Sequence, residues 1–111
     1  MKCETLDVWK RSCRLASEIY KYFSTFNDYG FKDQITRSSL SIPSNIAEGF
    51  ERESSKDKIR FLTYSVSSCA ELITQVYIGI EIGYIEKKVG FRWVKELNEL
   101  IKMIKILNKT I

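Results

Sequence analysis

The chain has 111 residues, the size of one domain, and can bury about two-thirds of its unfolded surface in a single core. With 44% hydrophobic and 29% charged residues, five glycines and one proline, its composition favours a folded, helix-rich protein over a disordered one. Histidine is absent, which excludes the Glu-x-x-His pairs of di-iron helical bundles and weighs against an enzyme. The net charge of +4 permits an anionic partner.

Nothing in the sequence points to a membrane. The most apolar region, from Leu72 to Ile85, is interrupted by Gln75 and Glu81 and falls short of a membrane span. The first ten residues, MKCETLDVWK, lack the continuous apolar stretch of a signal peptide. The sequence therefore predicts a soluble, cytoplasmic protein that forms one domain over residues 1–111.

The cysteines predict no metal site. Cys3, Cys13 and Cys69 are odd in number and lack metal-ligand spacing, which in a cytosolic protein favours reduced thiols. Cys13 and Cys69 are expected to fill the core. Because the sequence also lacks a nucleophile-base pair and a phosphate loop, it predicts no catalytic residue and no cofactor.

The first helix is predicted by apolar residues that recur in steps of three and four, a spacing that places them on one stripe. They are Leu6, Trp9, Cys13, Ala16, Tyr20 and Phe23. Asp7 is the expected N-cap. The helix should end near Asn27-Asp28-Tyr29-Gly30, where Gly30 or Asn27 can take a positive φ.

The second helix is predicted from about Phe31 to Arg52 and contains a proline. Its apolar face comprises Phe31, Ile35, Ile42, Ile46 and Phe50. Pro43 cannot donate to the Ser39 carbonyl, so a bend costing about 3 kcal/mol is expected; alternatively, a separate short helix starts at Ser41 or Ile42. The helix also carries small residues that permit close helix contacts within the bundle or between subunits: Ser38, Ser39, Ser41, Ser44, Ala47 and Gly49.

The third helix follows a capping box formed by Ser54 and Asp57. Its apolar residues repeat in steps of three and four over three heptads, as in a coiled coil. They are Ile59, Leu62, Val66, Cys69, Ile73, Val76 and Ile80. Gly83 is the expected C-terminal stop.

The fourth helix is predicted from near Glu86 to about Asn108. Its inward residues are Trp93, Leu97, Leu100, Ile104 and Leu107. Because all three connections are short, successive helices should be antiparallel neighbours. The sequence therefore predicts an all-α, antiparallel up-down-up-down four-helix bundle whose second helix is kinked at Pro43.

Apolar residues outside the heptad stripe of the third helix point to self-association. They are Phe61, Tyr64, Leu72, Tyr77, Ile78 and Ile82. A helix that is apolar nearly all round needs a larger protein or a second subunit to cover it, and this chain is too small for the former. These six residues are the candidate oligomer interface; the plainer interpretation is a broad core with a few exposed tyrosines.

The basic residues form a second candidate surface. On the fourth helix Lys88, Arg92, Lys95, Lys102 and Lys109 share one outer face, and on the first helix a shorter stripe comprises Lys10, Arg14 and Lys21. Cations fixed along a helix can contact nucleic acid phosphates without reading the base sequence. The alternative is an ordinary solvated face of a bundle.

A further polar group lies on the second helix. Glu48 and Arg52 have the i, i+4 spacing of an ion pair. Asn45 lies just beyond the proline and is expected to donate a hydrogen bond to the carbonyl that the proline frees. A structural role is the default interpretation. The alternative is that Arg37 and Arg52 contact an anionic partner.

An ordered set of residues runs through most of the chain. It comprises Leu6-x-Val8-Trp9-Lys10, Gln34-Ile35-x-Arg37, Ser41-Ile42-Pro43-Ser44-Asn45-Ile46-Ala47-Glu48-Gly49, Arg52, Phe61-Leu62 and Glu71-Leu72. This set resembles the 23S ribosomal RNA intervening-sequence protein family. The chain departs from the usual family pattern at Ser38-Ser39 and between Ser65 and Ser68, and neither change threatens the fold.

The resemblance implies an all-helical bundle that assembles as a ring, commonly a homopentamer, but it implies no settled activity. A related branch is similar to the accessory variability proteins of diversity-generating retroelements, which implies RNA or a ribonucleoprotein as partner. The leading hypothesis is a non-enzymatic homo-oligomer that binds RNA or DNA through basic surfaces. The alternative is an oligomeric scaffold that recruits a protein partner.

Overall fold

The computed structural model describes residues 6–111, which form four α-helices joined by short connections. They are α1 (Asp7–Tyr22), α2 (Tyr29–Glu51), α3 (Ser55–Glu81) and α4 (Lys87–Lys109). No strand occurs in this part of the chain. The predicted all-α class with four helices is confirmed. Cys3, predicted to be a reduced thiol, lies outside the described residues.

The helices pack so that each has two neighbours. α1 contacts α2 and α4, and α3 contacts the same two helices, which leaves α1 and α3 on opposite sides of the bundle. Along the α2–α3 contact, Ser38 donates to Glu71 and Ser65 donates to the carbonyl of Ile42. Residue numbers thus fall along α3 as they rise along α2, the order that antiparallel neighbours require. The full up-down-up-down order and the bend at Pro43 stay predictions.

Small residues bring α2 and α3 close together. The Ser41 and Ser68 hydroxyls are 2.8 Å apart, and Ser65 Oγ lies 2.9 Å from the Ile42 carbonyl. A Cβ at Gly49 would lie 3.3 Å from the backbone carbonyl oxygen of Lys58. Ser41 and Gly49 therefore serve contacts within the bundle.

The core is continuous and runs through all four helices. Its largest fully buried side chains are Trp93, Phe23, Ile19, Ile35, Ile42, Ile46, Leu62, Leu72, Leu97, Leu100, Ile104 and Val76. The inward residues predicted for α4 are buried, except that Leu107 is only partly covered. Burying side chains of this size contributes roughly 1.5–3 kcal/mol each, which explains why the apolar periodicity governs the fold.

The stripe predicted to face the core from α1 is confirmed in part: Ala16 and Phe23 are buried, and Leu6 and Trp9 pack against the core, but the buried face is centred nearer Leu15 and Ile19. The residues that α1 buries are Val8, Ser12, Leu15, Ala16 and Ile19. Cys13 is only partly covered and Tyr20 is 41% exposed. α1 carries two neighbouring apolar stripes, and the predicted stripe follows the outer one because the buried Ser12 interrupts the other. Ser12 is tolerated there because its hydroxyl donates to the Trp9 carbonyl.

The first connection also differs from the prediction. Asp7 is not the N-cap of α1 but its first residue, because Leu6 occupies the cap position. α1 ends at Tyr22, and Asp28 caps α2 by accepting a hydrogen bond from the Phe31 amide. Neither Asn27 nor Gly30 takes a positive φ, since the chain turns before Asp28 and Gly30 is already helical.

α2 continues through its proline. The helix extends without a break from Tyr29 to Glu51, so the alternative of a separate short helix is wrong. Asn45 donates to the Ser41 carbonyl and hydroxyl, both at 2.9 Å, rather than to the Ser39 carbonyl that Pro43 frees. The repair predicted for Asn45 is therefore wrong in its target, because the amide reaches one turn back and no further.

The residues predicted to start and stop α3 are confirmed. Ser54 is the N-cap and accepts a hydrogen bond from the Asp57 amide at 3.1 Å. Beyond the last turn, Gly83 has a φ of +82°, the only positive φ among the described residues, and it ends the helix as predicted. The buried face of α3 is rotated slightly from the predicted heptad stripe: Ser65 and Leu72 are buried, whereas Ile59 is exposed.

Candidate nucleic-acid interface

Ion pairs bridge the seam between α1 and α4. Arg11 donates to the carboxylates of Glu96, at 3.0 Å from its Nε, and Glu99, at 2.9 Å from its Nη2. The hydrogen bonds that Arg11 donates to Glu96 and then to Glu99 raise the pKa of Arg11, and the bond from Arg11 lowers the pKa of Glu99. One guanidinium thus holds two carboxylates of the opposite helix, the fork geometry that arginine favours.

A second link joins the helices two turns further along α1. One carboxylate oxygen of Glu18 accepts hydrogen bonds from Arg92 Nη2 and from the indole Nε1 of Trp93, both at 2.6 Å. Arg92 is the main cause that lowers the pKa of Glu18. Because Trp93 is fully buried, this contact fixes the Glu18 carboxylate at the edge of the core.

The two links set the register of the basic residues across the seam. Between them, Arg14 of α1 and Lys95 of α4 line one cleft of about 310 Å³ together with Arg92. Lys10 and Lys21 do not line this cleft, and Lys21 lies at a groove between α1 and α2. The two predicted stripes therefore meet at Arg14, Arg92 and Lys95. The basic face is defined here as Lys10, Arg14, Lys21, Lys88, Arg92, Lys95, Lys102 and Lys109.

The basic face is strongly charged because its residues have few anionic partners. All eight side chains are exposed. Among the ion pairs of residues 6–111, Arg92 alone of the eight takes part, through Glu18. The carboxylates inside the seam, Glu96 and Glu99, are bound by Arg11 instead. Seven of the eight thus form no ion pair within residues 6–111, although Lys95 and Lys102 lie close enough to Glu99 to help lower its pKa.

Arg37 and Arg52 lie away from the basic face, on α2. Arg37 forms an ion pair with Asp33 at 3.0 Å. Arg52 pairs with Glu48, as the spacing predicts, and its guanidinium lies 4.8 Å from the Phe61 ring centroid. α2 does not pack on α4, so the structure does not bring these arginines together with the other candidates.

The outer side of α3 contrasts with the basic face. Tyr64, Tyr77, Ile78 and Ile82 are about half exposed. Of the predicted interface residues, Phe61 is only partly exposed, between the guanidiniums of Arg52 and Arg60. Leu72 is fully buried in the core of its own chain, so its assignment to an oligomer interface is wrong.

The described residues offer no other site of established chemistry. No group of three or more metal-binding side chains occurs in residues 6–111. Within the same residues, every helix is too short or too polar to cross a membrane. Cys69 is buried, which raises its pKa to about 12 and keeps its thiol protonated.

Sequence reasoning missed the residues that connect the two helices. Arg11 and Glu18 were not recognised, although they lie one heptad apart on α1, beside its core stripe. Their partners Glu96 and Arg92 lie on α4 at the matching edge. A search for opposite charges at the core-flanking positions of two antiparallel helices could have found them.

These features define an all-α four-helix protein with a basic α1–α4 face and a partly apolar α3 face that carries few charges. The family model described as 23S rRNA-intervening sequence protein matches residues 4–106. The chain therefore belongs to the family of 23S rRNA-intervening sequence proteins.

A solved structure shares this fold. It is a crystal structure of a protein with unknown function from the S23 ribosomal protein family of Bacteroides thetaiotaomicron VPI-5482. The TM-score is 0.85 at 24% sequence identity, and the match covers 92% of this chain and 98% of that chain. At this identity the similarity shows the fold alone. No curated protein matches the chain.

Proposed function

We propose that this protein is a non-enzymatic homo-oligomer that binds RNA or another nucleic acid through the basic face and works in the cytoplasm. The observation that carries the proposal is the cleft between α1 and α4, which Arg14 of one helix and Lys95 of the other both line. Neither forms an ion pair among the described residues, and the carboxylates of Glu18, Glu96 and Glu99 in the same cleft are held by Arg92 and Arg11. Such a surface attracts a phosphate backbone and releases its counterions.

The chemistry of the basic face favours binding without base readout. Six of its eight members are lysines. A lysine ammonium is a point charge on a flexible stem, which contacts phosphates but lacks the rigid fork that reads base edges. We therefore expect affinity that depends on the shape and charge of the nucleic acid, with little preference for its sequence.

Self-association would multiply these contacts. One basic face offers a modest number of phosphate contacts, but several faces on one assembly act together through their effective concentration. The family resemblance gives a homopentameric ring as the expected assembly. Its related branch, the accessory variability proteins, gives a ribonucleoprotein as the expected setting. The half-exposed residues of α3 supply the apolar surface that assembly needs.

The proposal can be tested with two variants of equal charge change. The first, Lys88→Gln, Lys95→Gln and Lys102→Gln, removes three lysines of the basic face. The second removes three exposed lysines outside it, by Lys56→Gln, Lys87→Gln and Lys105→Gln. Binding to an RNA hairpin is measured by fluorescence anisotropy at about 0.1 M salt, with the assembly state checked by light scattering.

The first variant should bind on the order of 100-fold more weakly than the wild type, since about three phosphate contacts are lost. The second should bind within about threefold of the wild type. Equal losses for two correctly assembled variants would overturn the role of the basic face. Arg92 is left unchanged because it also holds Glu18.

A second candidate function is a scaffold that recruits a protein. It is favoured by the α3 face, where Tyr64 and Ile78 are about half exposed. Binding of a protein partner that is insensitive to salt, together with absence of RNA binding at low salt, would support it over the first proposal.

A further inference from the structure

The core leaves the outer apolar stripe of α1 partly uncovered at Cys13 and Tyr20, on either side of the buried Ala16. Cys13, Ala16 and Tyr20 face Leu40 and Pro43 of α2 across an open groove of about 420 Å³. Leu40 is 50% exposed and adds to the apolar lining of this groove. This is the same three-four repeat that made the outer stripe of α1 resemble a core stripe in the sequence. A repeat of that kind needs a partner surface.

A matching apolar ridge lies near the C-terminal end of α3. Ile78 and Ile82 are 49% and 52% exposed, and Tyr77 is 50% exposed. The ridge and the groove cannot cover each other within one chain, because α1 and α3 do not pack on each other. Only a second molecule can bring the two surfaces together.

The charges beside the two surfaces are opposite in sign. Lys21 lines the groove and has no ion-pair partner in residues 6–111. Glu81 is exposed on α3 between the positions of Ile78 and Ile82 and is likewise unpaired in that part of the chain. Opposite charges at the rim of an interface favour this pairing over groove against groove or ridge against ridge.

We propose that the α3 ridge of one copy docks into the α1–α2 groove of the next copy. The occupant of the groove is thus a second copy of this chain, and the proposal rests on the self-association in the proposed function. Each copy presents both surfaces, so the contact is heterologous and repeats from subunit to subunit. Two different patches on each chain are then buried in the assembly.

A natural thiol in the groove permits a direct test. Cys13 lines the groove and is partly exposed, whereas Cys69 is fully buried. In a Cys3→Ser background, Ile78→Cys places a thiol on the ridge. Mild oxidation should then link most chains into dimers and longer covalent products, seen as a ladder on a non-reducing gel. The ladder should disappear when Cys13→Ser is added.

The matched control places the new thiol on α4. Ile106 is exposed, at 63%, and lies on neither surface, so Ile106→Cys in the same background should give no ladder. Crosslinked dimers that persist for Ile78→Cys together with Cys13→Ser would show that ridge meets ridge, which would overturn the proposal.

Charge exchange gives a second readout. Lys21→Glu and Glu81→Lys should each weaken association by about three- to tenfold, and the double variant should regain the wild-type association, as a coupled pair requires. An assembly without a Cys13 crosslink and without this rescue would overturn the docking mode but leave self-association intact. A strictly monomeric wild type at micromolar concentration, measured by light scattering, would overturn both.

Discussion

α3 and α4 are long neighbouring helices with similar cores and opposite outer sides. Of the ten exposed residues of α4, seven are lysine or arginine. Of the nine exposed residues of α3 that follow Arg60, the only charged ones are Glu71 and Glu81. Both helices bury an apolar face in the core, so the difference in charge is confined to their outer sides. The α4 side suits water and phosphates, whereas the α3 side suits another protein surface.

Placing the same positive charge on the outer side of each helix should have the largest and most different effects. Ile78→Lys would bury an ammonium in the proposed apolar contact, where the nearby Glu81 already pairs with Lys21 of the next copy. The association constant should fall at least about 100-fold, equivalent to about 3 kcal/mol. Ile106→Lys adds the same charge to α4 and should leave association unchanged. Sedimentation velocity over a dilution series measures both variants. Equal association constants for the two variants would contradict the claim that only the outer side of α3 forms the subunit contact.

A smaller effect should follow from freeing a cation of the basic face. Glu18→Gln removes the charge that holds Arg92 but keeps an oxygen that can accept from the Trp93 indole. Arg92 could then contact a phosphate, and affinity for an RNA hairpin should rise about three- to tenfold, as expected for one added contact. Anisotropy titrations measure it.

The control for this variant is Glu53→Gln, which makes the same charge change at an exposed position outside α1 and α4. It should raise affinity less than Glu18→Gln does. If the two variants gain equal RNA affinity, the gain comes from net charge, and the ion pair between Glu18 and Arg92 does not limit binding.

The smallest expected effect is on the acid stability of the α1–α4 seam. The pKa of Glu18 is lowered in the folded chain, chiefly by the hydrogen bond from Arg92. A lowered carboxyl pKa stabilises the folded state above the unfolded value of about 4.5, and this contribution is lost as the pH falls through the folded value. The Tm of the wild type should therefore drop more steeply below about pH 4.5 than that of Glu18→Gln. Parallel curves from circular dichroism between pH 6 and 3 would contradict this.

Local signals in the sequence were sufficient for most of the fold. The Ser54 cap and the Gly83 stop were predicted because each depends on a few adjacent residues. The rotation of α1 about its axis was predicted only in part, because its two apolar stripes lie side by side and differ by one residue, about 100° around the helix. Only the packing of the other helices decides between them. The part of the outer stripe that the core does not cover, at Cys13 and Tyr20, lines the groove between α1 and α2.

The candidate site was predictable in its members but not in its arrangement. Helical periodicity alone placed Lys88 and Lys95 on one face of α4 and Arg14 on one face of α1. Their common cleft depends on the register between the two helices, which Arg11 and Glu18 fix through contacts more than 70 residues apart in the chain. Such contacts leave no signature within either helix, so only a comparison of opposite charges along the edges of both helices could have combined the stripes.

The most direct test of the central claim is the dependence of RNA affinity on salt. The slope of log K against log salt counts the phosphates that a protein neutralises, at about 0.7 to 0.9 for each contact. We expect the variant Lys88→Gln, Lys95→Gln, Lys102→Gln to have a slope shallower than the wild type by about 2 to 3, and the variant Lys56→Gln, Lys87→Gln, Lys105→Gln to keep the wild-type slope. Identical slopes for all three proteins, each in the same assembly state, would contradict a phosphate-binding role for the basic face.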